Sequence, residues 1–369
     1  MKKIVARIWI AFNILIGIIT LASAYGGMVS PLRHTFPSIL AMTFSGWVVA
    51  VILLLVINLF LARKTSLINV ATLLACYGAI STLSPLNFSN KGKPGEPEMT
   101  VMTYNVQGFL DYTANGKTSE DNPTLKFILD SGADIVALQE CTSFDHTPNG
   151  RIAKSLVDSI ARAYPYRSSG WEGQAVLSRY KLEEITLHYS PSHSFQVRGY
   201  KIDSPCGEIT LFNLHLKSIG LTDEDKELYR KITDGRAARQ PIKEELKEVR
   251  HDLLGKLSAA FRVRAEQAQK VKELIDSVGG TVIVCGDFND IPGCYACREI
   301  LSEGLKDAYA EAGCGPAITY HASRFFFRID HIFISRQLRA LDTQKLSNPT
   351  SDHYPVITRL TKLADYTTN

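Results

Sequence analysis

The chain has 369 residues, with 41 Lys plus Arg against 37 Asp plus Glu and a formal net charge of +4. That mildly basic balance is only weak evidence for a nucleic-acid partner. Seven cysteines are too few at this length for a fold held together by disulfides.

The apolar residues are unevenly placed. Residues 4–24 (IVARIWIAFNILIGIITLASA) carry one charge, Arg7, and residues 38–61 and 66–84 carry none. A membrane-spanning helix needs about 20 apolar residues, so residues 1–84 are predicted to form an anchor of three transmembrane helices. The third segment is rich in small and hydroxyl residues and also fits a helix packed on the other two at the membrane surface. The first, ending in Ala22-Ser23-Ala24, also fits a cleaved signal peptide; the two apolar segments close behind it favour a retained span. Either case leaves the rest of the chain on the extracytoplasmic side. Positive charge agrees, with Lys2, Lys3, Arg7, Arg63 and Lys64 inside against Arg33, Lys91 and Lys93 outside. The expected location is the cell membrane, multi-pass.

Residues 85–98 hold three Pro and two Gly and read as a linker. From 99 to 363 short apolar runs recur, of strand length and strand residue types, and each carries a polar cluster near one end. MTVMTYNVQGF reaches Asn105, ADIVALQE reaches Glu140, GEITLFNLHLKS carries His215, and TVIVCGDFND reaches Asp287 and Asn289. RIDHIFIS begins with Asp330 and His331, and SDHYPVITRL with Asp352 and His353. Helices are predicted over 123–131, 151–163 and 241–278. In the last, Leu246, Val249, Leu253, Leu257, Phe261, Ala268, Val271 and Ile275 recur at three- or four-residue steps apart from one gap, which gives one buried face. Strands mixed with helices in both orders predict a layered α/β fold.

An apolar strand that ends in carboxylates must deliver them to a rim or cleft, because an unpaired buried carboxylate is costly. Taken singly, Asn105 fits a turn cap, Glu140 a surface charge and His215 a core histidine. Together, carboxylates, amides and imidazoles without obligatory thiols suit a hard divalent cation such as Mg²⁺ or Mn²⁺. Such a cation neutralises phosphate oxygens as a P–O bond breaks, and a histidine beside a carboxylate is held in one tautomer. These are the parts of a metal-assisted phosphoester hydrolase.

In order along the chain, TYNVQG, LQE, NLHL, GDFND, RIDHIF and SDH resemble the motifs of the endonuclease/exonuclease/phosphatase superfamily, and GQAVLSR at 173–179 resembles the family's strand after the second motif. The resemblance covers the whole soluble part. It implies a four-layer sandwich, two mixed β-sheets face to face with helices outside, and an active site at one sheet edge. It implies that Glu140 is the principal Mg²⁺ ligand (Mn²⁺ being the alternative), with Asn105 beside it and Asp352 helping. Asp287 would orient or deprotonate the attacking water, and Asn289 would fix Asp287 and the phosphate. His353 would contact phosphate and water, Asp330 would orient His353, and His215 would stabilise charge on the phosphate or leaving oxygen. The expected substrate is a phosphoester, either a lipid head group or a nucleic acid. No obligate protein partner is evident.

NLHLKS offers a histidine where apurinic-site endonucleases of the family commonly place a tyrosine, which disfavours DNA repair. A nuclease acting outside the cytoplasm stays open, with Arg324, Phe325, Phe326 and Phe327 as a stacking patch. So does a binding module that keeps the fold without catalysis. His331 reads as structural, and Cys141 and Cys285 as buried small side chains. Cys294 and Cys297 are too few ligands for zinc and lack a thioredoxin-like setting, leaving a small disulfide as one option. Residues 217–262 read as an insertion, either a lid or a solvated helical hairpin. Its Arg236, Arg239 and Arg262, with the adjoining Arg264, either meet anions or solvate a helix face.

Overall fold

The computed structural model describes residues 2–88, 95–114, 120–142, 150–168, 173–188, 196–220, 242–302, 304–322 and 326–363, with isolated positions between them. It opens with α1 (Lys2–Tyr25), α2 (Phe36–Met42), α3 (Phe44–Leu61), α4 (Ser66–Ala75) and α5 (Tyr77–Leu83). Two helical stretches, Lys3–Met28 and Phe44–Leu61, are long and apolar enough to cross a membrane. The predicted third span is broken: α4 and α5 meet at 64°, and they make a third crossing only if the bent pair counts as one.

Large apolar side chains on these helices face outward, with Ile8, Ile18, Phe60 and Leu61 all more than half exposed. The buried side of the bundle is polar at one level. Asn58 Nδ2 donates to Asn13 Oδ1 and Asn69 Oδ1, each at 2.8 Å. Asn69 Nδ2 donates to Asn13 Oδ1 at 3.1 Å, and Trp9 Nε1 to Asn58 Oδ1 at 2.7 Å. One asparagine from each of α1, α3 and α4 thus fixes the register of three otherwise slippery apolar helices.

The strands follow in chain order: β1 (Glu98–Asn105), β2 (Ile135–Gln139), a short hairpin of β3 (His146–Thr147) and β4 (Gly150–Arg151), β5 (Tyr166–Arg167), β6 (Gln174–Ser178), β7 (Leu182–Ile185) and β8 (Gln196–Ser204). Then come β9 (Gly207–His215), β10 (Val282–Asp287), β11 (Leu305–Asp307), β12 (Asp330–Ser335), β13 (Leu338–Lys345) and β14 (Val356–Lys362). One sheet has the order β13-β14-β1-β2-β6-β5 and the other β11-β12-β10-β9-β8-β7. Both share a pattern. One parallel pair, β1 with β2 or β9 with β10, sits in the middle, and every other neighbour is antiparallel.

That pattern explains the polar tips. Parallel neighbours end on the same side, so Asn105, Glu140, His215 and Asp287 emerge together. The antiparallel partners β12 and β14 start on that side, so Asp330 and His353 lie at or just before their beginnings.

Between the sheets lies a core that includes Met99, Val101, Ile135 and Val176 from one and Ile209, Leu211, Ile283 and Ile332 from the other. Two helices, α6 (Pro123–Ser131) and α7 (Lys154–Ala163), cover the first sheet through Leu125, Ile128, Leu156 and Ile160. Asn122 caps α6 by accepting from Leu125 N–H, with Pro123 in its first turn. On the second sheet, α8 (Ile242–Val278) packs Ala268, Val271 and Ile275, and α9 (Tyr295–Leu301) packs Ala296 and Ile300. The short α10 (Ala308–Ala312) follows β11. Helices outside two mixed sheets make the expected four layers.

The stretch read as a linker is docked where it begins. Gly315 N–H donates to Pro85 O at 2.7 Å, Asn87 N–H donates to Gly313 O at 3.2 Å, and Leu86 pairs with Cys314. Arg328 reaches the end of α5, donating from Nη2 to Thr82 O at 2.7 Å while pairing with Asp307 at 2.9 Å. At Gly27 a Cβ would collide with Gly293 O and the Cys294 backbone. The helical segment is therefore fitted against the sandwich rather than strung from it.

Candidate active site

The site lies where the two parallel pairs end. Asp287 is its hub. Asn105 Nδ2 donates to Asp287 Oδ2 at 3.1 Å and to Glu140 Oε1 at 3.1 Å, so one amide ties the end of one sheet to the other. The Asn289 N–H donates to Asp287 Oδ1 at 2.8 Å, and Asn289 Nδ2 donates to Leu216 O at 3.0 Å. His215 Nε2 and His353 Nε2 stand 3.7 and 3.6 Å from the same Oδ2. These gaps are too long for direct hydrogen bonds and suit a small shared oxygen ligand between them. His215 Nε2 is also 3.8 Å from Glu140 Oε1.

His353 is oriented from behind. Its Nδ1 lies 2.9 Å from Asp330 Oδ2, and both side chains are buried. Asp330 is held in turn by Thr319, whose Oγ1 accepts the Ile329 and Asp330 N–H groups at 2.9 and 3.1 Å. Ser351 donates to Asn105 O at 2.8 Å and accepts from His353 N–H at 3.2 Å, joining the SDH turn to the tip of β1.

Local backbone choices serve these positions. Gly286 of GDFN has φ 145°, and a Cβ there would strike Leu214 O, so only glycine lets β10 lie this close to β9. Glu140 and Asn289 sit in the left-handed region at φ 49° and 50°. For a non-glycine residue that costs of order 1–2 kcal/mol, and such strain clusters at functional sites.

The charges are crowded. Burial pulls the His353 pKa down, yet Asp330, Asp287 and Asp352 outweigh it and hold the imidazole at about 10, so the ring is a cation near neutral pH. Burial raises the Asp352 carboxyl above its ordinary range; His353 opposes this, while Glu140 and Asp287 add to it as like charges. Among the described residues, Asp330 Oδ1 is buried without a hydrogen-bond partner.

This donor set fits a hard cation. Two groupings offer themselves. Ligand atoms of Asp287, Asp330 and His353 lie within 4.8 Å of one another, but the His353 ring is already bonded to Asp330 and positively charged. Glu140, whose charge acts on the Asp352 carboxyl, forms the other grouping with Asp352 and with Asn105, its hydrogen-bond partner. In the arrangement seen, Asn105 turns Nδ2 towards Glu140 while Oδ1 accepts from Gln107 N–H at 3.2 Å; oxygen coordination needs the amide turned over.

Residues 102–353 match the family model described as Endonuclease/Exonuclease/phosphatase family. The chain belongs to the endonuclease/exonuclease/phosphatase family. Members of this family are typically hydrolases of phosphoesters, generally with a divalent metal. Residues 2–83 match a second model, described as a domain of unknown function (DUF8431). Solved structures similar to this family member include an endonuclease/exonuclease/phosphatase from Beutenbergia cavernae, at 18% identity, 72% of each chain and a TM-score of 0.49. A family protein from Bacteroides thetaiotaomicron is 17% identical over 73% of this chain and 99% of that one, with a TM-score of 0.47. The human Nocturnin catalytic domain with bound sulfate is 16% identical over 72% and 94%, with a TM-score of 0.46. No curated protein matches the chain.

The structure thus lines one cleft with Glu140, His215, Asp287, Asn289, Asp352 and His353, and sets Asn105 and Asp330 behind them in hydrogen-bond contact. Sequence reading missed the polar layer beneath them. Gln139 Nε2 donates to Asn213 Oδ1 at 2.7 Å, Asn213 Nδ2 donates to Leu138 O at 3.0 Å, and Gln174 Nε2 donates to Asn213 O at 3.1 Å. Buried amides in LQE, NLH and GQAV were the available signal. It also missed Tyr320, which pairs with His353 through the backbone and stands 5.0 Å from its ring.

Other readings are settled outside the cleft. Arg264, considered for anion contact, is buried and faces Asp290 at 3.5 Å while donating to Lys217 O at 2.9 Å. Arg262 is exposed, and Arg236 and Arg239 lie outside the described residues. His331 is buried against Phe288 and Phe333, with Nε2 2.9 Å from Asp290 O, and burial lowers its pKa to about 4. Cys294 and Cys297 are free and buried, as are Cys141 and Cys285. Within the 217–262 insertion, residues 228–241 lie outside the described residues, residues 242–262 form the first part of α8, and Ser218, Ile219 and Gly220 line the cleft.

Proposed function

We propose that this chain is a membrane-anchored, divalent-metal-dependent phosphoesterase with its catalytic part on the extracytoplasmic side, acting on the head group of a bilayer lipid. The observation that carries the reading is the convergence of Asn105, His215 and His353 on one oxygen of Asp287, next to Glu140 and Asp352. Glu140, with Asn105 and Asp352, would hold Mg²⁺, or Mn²⁺ in its place. When bound, the cation supplies positive charge to the phosphate oxygens.

The protein's own groups account for the rest. Asp287, its Oδ1 fixed by the Asn289 N–H, presents Oδ2 to a water in line with phosphorus and takes its proton. The water oxygen bonds to phosphorus as the bond to the leaving oxygen breaks, with no covalent enzyme intermediate. His353, kept charged and aimed by Asp330, neutralises a phosphate oxygen. His215, on the other side of Asp287, stabilises the leaving oxygen. The three asparagines joining α1, α3 and α4 support a retained first helix over a cleaved one.

The nuclease reading stays as the alternative: of its predicted stacking patch Phe326 is exposed and Phe327 lines the cleft, while Arg324 and Phe325 lie outside the described residues. The deciding experiment uses the full-length protein and bis(p-nitrophenyl) phosphate with Mg²⁺, Mn²⁺ or EDTA, then phosphoinositide and sphingomyelin vesicles and plasmid DNA. Metal-dependent release of nitrophenol and of lipid head groups, abolished by Asp287→Asn, is expected. Plasmid nicking without lipid turnover would replace the lipid reading by the nuclease one; no turnover of any ester would end both. Alkaline phosphatase fused after residue 95 should be active, and an inactive fusion would reverse the topology.

A further inference from the structure

Resting on that phosphoesterase reading, we infer that the anchor forms part of the substrate pocket. The cleft, in this proposal, takes the phosphate of an amphiphile on its polar side and the first carbons of the alkyl chain on an apolar side that Met42 completes. The cleft measures about 270 Å³, at the lower end for small-molecule sites, so it receives the ester and the start of a chain rather than a whole lipid. Besides the carboxylates and histidines it is lined by Met42, Ile219, Ile291, Tyr320, Phe327 and Ile329.

Met42 ends α2, the link between the two long apolar helices. Together with Ile39 and Ala41 it packs into one cluster with Phe261, Ile291 and Ile329. The other wall residues are tied to the anchor as well. Tyr320 and Phe327 pair with each other between two attachments to the end of α5, Gly315 with Pro85 and Arg328 with Thr82. The apolar character continues outward. Among the described residues of the soluble part, Leu86, Phe88, Ile318 and Phe326 are exposed beside these attachments, and elsewhere only Tyr166 and Leu254 are exposed large apolar side chains. An exposed apolar rim that continues from helices of membrane length marks a surface for apolar contact. The aliphatic side chains of this wall, Met42, Ile219, Ile291 and Ile329, offer a sugar no hydrogen-bond partner, whereas an alkyl chain gains by burial against them.

The test is a homologous series with one leaving group: methyl, propyl and hexyl p-nitrophenyl phosphate, below their aggregation limits, with full-length protein and Mg²⁺. Burial of one methylene is worth up to about fourfold in binding. The wild-type kcat/KM should therefore rise at least tenfold from methyl to hexyl. Met42→Gln, similar in size but polar, should cut the hexyl-to-methyl ratio at least threefold, and Ile219→Asn should do the same from another part of the wall. A flat series in wild type, with the methyl ester still hydrolysed, overturns the inference and leaves the phosphoesterase reading standing. An unchanged ratio in both folded variants also overturns it. Failure to hydrolyse any of the three esters removes the parent reading and the inference together.

Discussion

Asparagine at Asp330 separates positioning from folding. In the wild type Asp330 Oδ2 holds His353 Nδ1 at 2.9 Å, with side chains only 1% and 5% exposed. A hydrogen bond to a charged group is worth about 1.5–3 kcal/mol. Asp330→Asn keeps the shape and removes the charge, so that amount is withdrawn from whatever the imidazolium does in the transition state. Each 1.36 kcal/mol is tenfold in rate, so kcat/KM on a soluble phosphodiester should fall about 10- to 150-fold. The strand itself should hold, because Thr319 accepts the Asp330 N–H whichever side chain follows. Stability should drop by roughly 1–3 kcal/mol, since an amide nitrogen in place of the unpartnered Oδ1 is a buried donor without an acceptor. Initial rates with Mg²⁺ and thermal unfolding of the same preparation measure both. A folded Asp330→Asn protein with a rate within threefold of wild type would show that His353 does not depend on Asp330 in the reaction.

Three further outcomes are expected. His331 is held neutral, its pKa lowered from 6.5 to about 4, so its contribution is fully present above pH 6.5 and is lost as pH falls through about 4. The shift corresponds to about 3 kcal/mol, and His331→Phe should show a shallower loss of stability between pH 7.5 and 4.5; equal acid slopes would refute this. Asn58 takes part in three hydrogen bonds within the helical bundle, each worth about 0.6 kcal/mol in a membrane setting. Asn58→Leu should therefore unfold at lower SDS fraction by about 2 kcal/mol, and an unshifted transition would count against the network. Chelation by EDTA should lower the rate at least 100-fold, and Mg²⁺ should raise the unfolding temperature by relieving repulsion among Glu140, Asp287 and Asp352. A rate unchanged in EDTA would remove the metal from the reaction.

Much of the site was legible because the sheets obey a simple rule. An apolar run that stops at Asn105, Glu140, His215 or Asp287 must stop at an edge, and one that starts at Asp330 or after His353 must start at one. The long helix was legible from spacing alone, and Phe261, Ala268, Val271 and Ile275 are buried as that spacing requires. What periodicity does not encode is which strands are neighbours, so the identical pairing pattern of the two sheets leaves no repeat in the residues. Met42 was unreadable as a pocket residue because its partners, Ile291 and Ile329, lie 249 and 287 positions further along the chain. The sequence reading did not single out Asn13, Asn58 and Asn69, because their mutual bonds exist only once the helices lie side by side. In the sequence Arg264 reads as meeting an anion or solvating a helix face, and it is instead buried beside Asp290, because charge alone does not reveal burial.

The joint between helices and sandwich has a mechanical consequence. Contacts at Gly27, Thr82 and Pro85 leave the soluble half no swivel. On the proposed reading of a membrane-anchored lipid phosphoesterase, its opening would keep a set height and heading above the bilayer, and encounters would be restricted to molecules drifting laterally beneath it. Turnover of such a machine would track the crowding of its target within a two-dimensional sheet, and dilution with inert neighbours would slow it even when the total amount in the vessel is unchanged.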